Sequence, residues 1–205
     1  TPDSEAHFMT VSSAGTYYAY VAVPAGGTTF GTYHLSVAVF PASNNGLTCT
    51  TYSSTDVPQT IPDGPGQVTS TITIPGNPRI ADLDVAINLT HNLMADLDVN
   101  LVSPAGNDNG LFNDIGASAV GGVTAMNLVV DDEGAIPLGL YTVLSGMHFQ
   151  PELAYRLSWF DGEDAGGTWT LTLRDDAASN GGTLNGWSIT VCESVPPPQC
   201  PPGYN

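Results

Sequence analysis

Short alternating runs of apolar and polar residues, cut apart by turn residues, constrain this chain more than any other feature. In Leu83-Asp84-Val85-Ala86-Ile87-Asn88-Leu89 the residues Leu83, Val85, Ile87 and Leu89 share one face, and Asp84, Ala86 and Asn88 share the other. Leu97-Asp98-Val99-Asn100-Leu101 repeats the arrangement. A period of two marks a half-buried strand, because successive side chains of extended backbone point to opposite faces. Helical spacing is nearly absent, and 23 Gly and 16 Pro punctuate the chain throughout. Strands are expected at 72–74, 83–89, 97–102, 155–160, 168–173 and 186–192. Many short strands with turns between them imply an all-β, antiparallel sandwich or barrel.

Charge excludes whole classes of partner. The chain carries 20 acidic and 3 basic residues, a formal net charge of −17. Three cations cannot neutralise a phosphate backbone, so nucleic acid is excluded, and an anionic membrane surface would repel the chain. No apolar run approaches the roughly 18 residues of a spanning helix, so membrane insertion is not expected. The 41% hydrophobic content suffices for a packed core and argues against disorder.

Three regions separate by composition. Residues 1–46 form a strand-rich segment, with runs at Tyr17 to Val23 and Tyr33 to Phe40 and a linker-like Pro41 to Gly46. Residues 47–194 form the main unit, and 195–205, with Pro196-Pro197-Pro198 and Pro201-Pro202, read as an extended tail. The start, Thr1-Pro2-Asp3, reads as a mature or excised product. Cys49, Cys192 and Cys200 form no CxxC and have no His at zinc-finger spacing. Cys49 and Cys192 flank the main unit and could bridge its ends in an exported protein, leaving Cys200 unpaired or joined to another chain; three separate thiols are the alternative.

The stretch Ile80 to Gly106, IADLDVAINLTHNLMADLDVNLVSPAG, with its Thr90-His91, Ala95-Asp96-Leu97 and Ser103-Pro104-Ala105-Gly106, resembles the P domain (Homo B domain) of proprotein convertases and secreted bacterial subtilases. Ala95 stands where the family pattern has Gly, and no Thr follows His91. The resemblance continues through Asp131-Asp132-Glu133-Gly134-Ala135-Ile136, through Leu157 to Leu173 (LSWFDGEDAGGTWTLTL) and through Asn180 to Val191 (NGGTLNGWSITV), and covers about residues 55–192. It implies a jelly-roll β-sandwich of about eight strands. Gly15-Thr16-Tyr17-Tyr18 and Gly31-Thr32-Tyr33-His34-Leu35-Ser36-Val37 look like the last strands of a bacterial pre-peptidase C-terminal module. Two lone strands are marginal by themselves and need a neighbour to pair with.

The residues offer little for bond-making. Ser145 has His148 three positions on, but no strand-turn-helix elbow surrounds it and nothing resembles the Asp, His and Ser blocks of a subtilase. His91 falls on the apolar parity of its strand, as a hydrogen-bonded structural group would. Trp159, Trp169 and Trp187 all fall on expected strands and are read as core. The 15 Asp are the exception, because many of them are paired or alternate. Asp96-Leu97-Asp98-Val99-Asn100 is no EF-hand, since Leu101 stands where the loop needs Gly. Loop carboxylates with irregular geometry suit Ca²⁺, and the bacterial relatives are often stabilised by it. A Ca²⁺ site is therefore expected, drawing on Asp96, Asp131, Asp132, Asp161 and Asp164, with Asp175 as a further ligand.

The expected role is that of a non-catalytic accessory or binding domain of a secreted bacterial protein, a subtilisin-like serine protease in the first instance. Its partner is then an upstream catalytic or surface domain of the same polypeptide. The rival is an extracellular surface or filament subunit whose N-terminal strands complete the sheet of the next copy.

Overall fold

The computed structural model describes residues 47–115, 124–134, 136–139, 146 and 148–194. The strand-like runs at 17–23 and 33–40, the Pro-rich tail, Cys200 and Ser145 lie outside the described residues.

Among the described residues ten strands follow one another: β1 (Leu47–Ser53), β2 (Gln59–Ile61), β3 (Gly66–Ile74), β4 (Asp82–His91), β5 (Leu97–Val102), β6 (Asp108–Asn113), β7 (Ala125–Val130), β8 (His148–Phe149), β9 (Gly167–Asp175) and β10 (Gly182–Ser194). Two short 3-10 turns, Met94–Asp96 and Leu157–Phe160, interrupt them. The first sheet has the order β1-β10-β4-β7-β8, with β2 also on β10, and the second has β3-β9-β5-β6. Strands consecutive in sequence thus alternate between sheets from β3 to β5 and again from β9 to β10, which is the wrapping of a jelly roll. Among the described residues all pairings are antiparallel apart from the two-residue contact of β7 with β8 and the isolated Pro137–Gln150 bridge, which are parallel.

Alternation decides which side of each strand is inside. Leu83, Val85, Ile87 and Leu89 of β4 are buried, as are Leu97, Val99 and Leu101 of β5 and Trp169, Leu171 and Leu173 of β9. They meet Trp187, Ile189 and Val191 of β10 in one core between the sheets. The core also satisfies its polar atoms. Trp169 donates its indole N–H to Ala165 O at 2.8 Å, and Trp187 donates across the sandwich to Ser70 Oγ at 2.6 Å. Ser70 in turn donates to the Asp56 carboxylate. Buried indoles without such partners would each leave a costly unpaired donor.

The segment 155–160 departs from the strand expected there. Leu157 and Phe160 are buried and Trp159 is 61% exposed, a spacing of three rather than two. In a 3-10 turn residues i and i+3 eclipse on one side, so this turn anchors itself through Leu157 and Phe160 and turns Trp159 outward. Phe160 meets Trp169 edge to face, with ring centroids 5.2 Å apart. Trp169 and Trp187 are core, as expected, and Trp159 is not.

Cys49 and Cys192 are disulfide-bonded, directly opposite each other on β1 and β10. The bridge ties the first strand of the sandwich to its last. Such a bond is compatible with an oxidising, extracellular setting.

Candidate functional site

Two acidic corners stand out. The first is built where β4 begins and β7 ends. Val85 and Val130 are the last paired residues of those strands, so the next residues, Asp84 and Asp131, come side by side on one face. Asp82 follows two positions along β4, and Asp132 and Glu133 follow Asp131 in the turn. Burial pushes the Asp84 carboxyl up to about 8, with the charges of Asp131, Asp82, Glu133 and Asp132 adding to the effect. Burial, and then a hydrogen bond with Asp131, pushes Glu133 up to about 7. Asp82 is raised by burial and by Asp131, and Asp161, just past the second 3-10 turn, is raised by burial, Asp82 and Asp132. Six carboxyl groups thus share one field, and some of them hold protons that carboxyls in water would release.

Part of this corner has structural duties. Asp131 Oδ1 accepts from Glu133 N at 2.7 Å, and Asp131 Oδ2 lies 2.8 Å from His148 Nδ1. Asp132 accepts from Leu157 N at 2.7 Å and from Ser158 N at 2.8 Å, so it holds the 3-10 turn that presents Trp159.

The second corner lies where β5 begins and β9 ends. Asp98 is raised by burial, then by Asp114 and Asp176, against the pull of Arg174, which reaches it at 3.3 Å. Asp114 is raised by burial, Asp176 and Asp96. Asp96 is buried and accepts from Asn180 Nδ2 at 2.8 Å. Asp175 is fully buried; its Oδ2 pairs with His91 Nε2 at 3.0 Å and its Oδ1 accepts from Ala177 N at 3.1 Å.

The six carboxylates named for at least one Ca²⁺ site fall in different parts of the sandwich. Asp131, Asp132 and Asp161 belong to the first corner. Asp96 and Asp175 belong to the second, and Asp175 is occupied by His91. Asp164 accepts from Gly166 N at 2.8 Å in the loop that leads into β9. The reason is topological: Asp131 and Asp132 follow β7 beside the start of β4, whereas Asp96 and Asp175 lie at the end of the sandwich where β4 and β9 finish, which proximity in sequence does not reveal. Asp82, Asp84 and Glu133 were not among the expected ligands, although the alternation of Asp82 and Asp84 on β4 was visible. The first corner's hard oxygen donors are chemically suited to Ca²⁺. Among the described residues, however, no three His, Cys, Asp or Glu side chains are set to hold one metal ion as they stand.

Residues 148–191, from β8 into β10, match the family model of the proprotein convertase P-domain. The match spans 44 of the 205 residues and is a similarity of that stretch to the P-domain. The matched stretch contains the outward-turned Trp159, the core Trp169 and Trp187, and Asp161 of the first corner. A curated relative is leupeptin-inactivating enzyme 1 of Streptomyces exfoliatus, 32% identical over 133 residues, which are 63% of this chain and 24% of the relative. The chain thus spans about a quarter of that relative's length. Among solved structures it is similar to the serine protease of Aeromonas sobria, at 20% identity and TM-score 0.45, and to that protease in complex with the chaperone ORF2, at 21% and 0.48. Each similarity covers 72% of this chain and 27% of the other. The likeness to a pre-peptidase module falls on residues outside the described ones.

Proposed function

We propose that this chain is the non-catalytic accessory domain of a secreted bacterial enzyme, a subtilisin-like serine protease in the first instance, which it stabilises or for which it holds substrate or surface. The match of residues 148–191 to the P-domain carries the reading. It is supported by the Cys49–Cys192 bond, which joins the first and last described strands of the sandwich, a build suited to an attached, independently packed module. The partner in this reading is a catalytic domain of the same polypeptide. Expressing the parent enzyme with and without residues 47–194 tests it. Loss of thermal half-life or of activity on large substrates supports the role, and a parent without any peptidase domain overturns it.

Calcium belongs to the same proposal, as a stabiliser at the first corner. Asp82, Asp84, Asp131 and Glu133 supply the oxygen donors, and their side chains must turn toward a common point to receive the ion. Burial first, and then the neighbouring carboxylates, push Asp84 and Glu133 up, and a bound cation would favour their charged forms.

The filament reading keeps one supporting observation. Among the described residues β1, which directly follows residues 1–46 in sequence, is the edge strand of its sheet, and an edge can accept a further strand. Gel filtration and electron microscopy separate the readings. A monodisperse monomer argues against strand exchange, and fibres argue for it.

A further inference from the structure

The outer face of the first sheet carries a shallow depression of about 270 Å³ over its central strands. Register and alternation put its residues on one face. Leu83, Val85, Ile87 and Leu89 of β4 are buried in the core, so Ala86 and Asn88 between them point outward. Asn88 stands opposite Asn127 of β7 and Gly186 of β10, while Ala86 stands opposite Ser188, which in turn faces Ser53 of β1. All of these line the depression. The small residues Ala86 and Gly186 keep its floor low between the Asn88–Asn127 pair on one side and the Ser53–Ser188 pair on the other.

The fold itself does not ask for glycine at 186. Its backbone lies outside the left-handed region, and a Cβ added there meets nothing within 4 Å. Gly186 nevertheless sits inside strand β10, where glycine weakens a strand and marks a place at which a ligand or another backbone comes close. A bulge precedes it. The β10–β4 register shifts between Leu184 and Gly186, which leaves Asn185 out of the ladder and exposed, and bulges re-aim side chains beside sites. Here Asn185 donates from Nδ2 to Asn88 Oδ1 at 3.2 Å, so the two carboxamides hold each other in place. Ser54 lines the same depression, and its Oγ is buried with no hydrogen-bond partner among the described residues. An unpaired buried hydroxyl is costly, and rotation about its single χ1 offers it to a ligand.

The chemistry of the walls selects the occupant. Carboxamides and hydroxyls both donate and accept, and among the described residues no charged side chain lines the depression, although the chain has a formal charge of −17. Ions and phosphates therefore meet no counter-charge. An extended peptide finds no open edge, because β10 and β4 each have a strand on both sides. An apolar ligand would take water from the amides and return no hydrogen bonds. Vicinal hydroxyls, by contrast, match a carboxamide's adjacent donor and acceptor. We propose that the depression binds one ring of a neutral sugar, with Asn88, Asn127 and Asn185 on its hydroxyls and the ring over Gly186. Its volume lies just under that of sites for drug-sized ligands and suits a single ring, free or as one residue of a glycan. The inference does not depend on the parent being a protease.

The probes are glucose, N-acetylglucosamine and the hexamers cellohexaose, maltohexaose and chitohexaose, with a galacturonate hexamer as acidic counterpart, titrated into the full chain while nuclear magnetic resonance follows the side-chain amides of Asn88, Asn127 and Asn185. At least one neutral sugar is expected to shift these signals to saturation, and the galacturonate hexamer to leave them in place. Saturation by a monosaccharide identifies a free sugar as ligand, and saturation by a hexamer alone identifies a glycan. Gly186→Val is expected to abolish the shift while the melting temperature holds, because valine suits a strand and meets open space. Asn127→Ala is expected to weaken binding by about tenfold, the loss of one hydrogen-bonding partner. Amide signals unmoved by every neutral sugar, an equal response to the galacturonate hexamer, or undiminished binding by Gly186→Val would overturn the proposal. The titration uses the unaltered chain, so it stands even if a variant fails to fold.

Discussion

His91 Nε2 and Asp175 Oδ2 lie 3.0 Å apart with both side chains wholly buried, joining the end of β4 in one sheet to the end of β9 in the other. The second ring nitrogen, Nδ1, lies 2.7 Å from Leu93 O, so the imidazole is held on both sides. Removing either partner leaves the other buried and unmatched. Asp175→Ala and His91→Ala are each expected to cost about 3–5 kcal/mol. The double variant should cost less than the sum of the two, because the orphaned group is then gone as well. Urea titrations of the four proteins measure this, and strictly additive losses would show that the pair does not act as a unit.

Asp56 closes the outer edge of β3. Its Oδ2 accepts from Thr71 N at 2.8 Å, and the carboxylate also accepts from Ser70 Oγ, the acceptor of the Trp187 indole. Burial works to raise its pKa, but the hydrogen bonds from Ser70 and Thr71 outweigh it and hold the carboxyl below its usual value. Strand β3 carries no charged residue along Gly66–Ile74, and unguarded edges of that kind invite pairing between chains. Asp56→Ala is expected to lower stability by about 1–3 kcal/mol and to raise the proportion of soluble oligomer. Light scattering at rising concentration checks the second effect.

The disulfide between Cys49 and Cys192 spans 143 positions of sequence. A bond closing so long a loop restricts the unfolded chain strongly, and its loss is expected to cost about 2–5 kcal/mol. Replacing both cysteines by Ala should lower the melting temperature while leaving the far-ultraviolet circular dichroism of the folded state unchanged. An equal melting temperature with and without reductant would mean that the strand pairing of β1 with β10 suffices alone.

How far the sequence revealed this molecule depended on whether a feature is local. Strict alternation made β4 and β5 readable, because one face of each is wholly apolar. It did not reveal β1, whose Leu47–Ser53 is mostly polar on both faces, nor β6, where three successive buried residues, Gly110, Leu111 and Phe112, break the period of two. At 155–160 the alternating Tyr155, Leu157 and Trp159 suggested a strand, while the buried pair Leu157 and Phe160, three apart, was the true signal of the turn. The acidic corner was hidden for a different reason. Asp84 meets Asp131 only because β4 pairs with β7 in the Val85–Val130 register, and that pairing joins residues more than forty positions apart.

That corner makes stability depend on pH in an unusual direction. The folded chain keeps a proton on Asp84 up to about pH 8, whereas an unfolded Asp releases its proton near pH 4. Between those values the folded state binds more protons than the unfolded one, so stability from this group is full below about pH 4 and is lost as pH rises toward 8. The slope is at most about 1.4 kcal/mol per pH unit for one such proton. Glu133, pushed up to about 7, acts in the same sense. In chelator, the melting temperature is therefore expected to fall between pH 5 and pH 8. Asp84→Asn, which keeps the shape without the charge, should flatten that fall and stabilise the protein at pH 8. Calcium, if the proposed site receives it, competes with these protons, so its stabilising shift should be larger at pH 8 than at pH 5 and should shrink in Asp84→Asn. A melting temperature indifferent to pH in both proteins would mean that Asp84 is ionised in the folded chain, and an equal calcium shift in both would place any bound ion elsewhere.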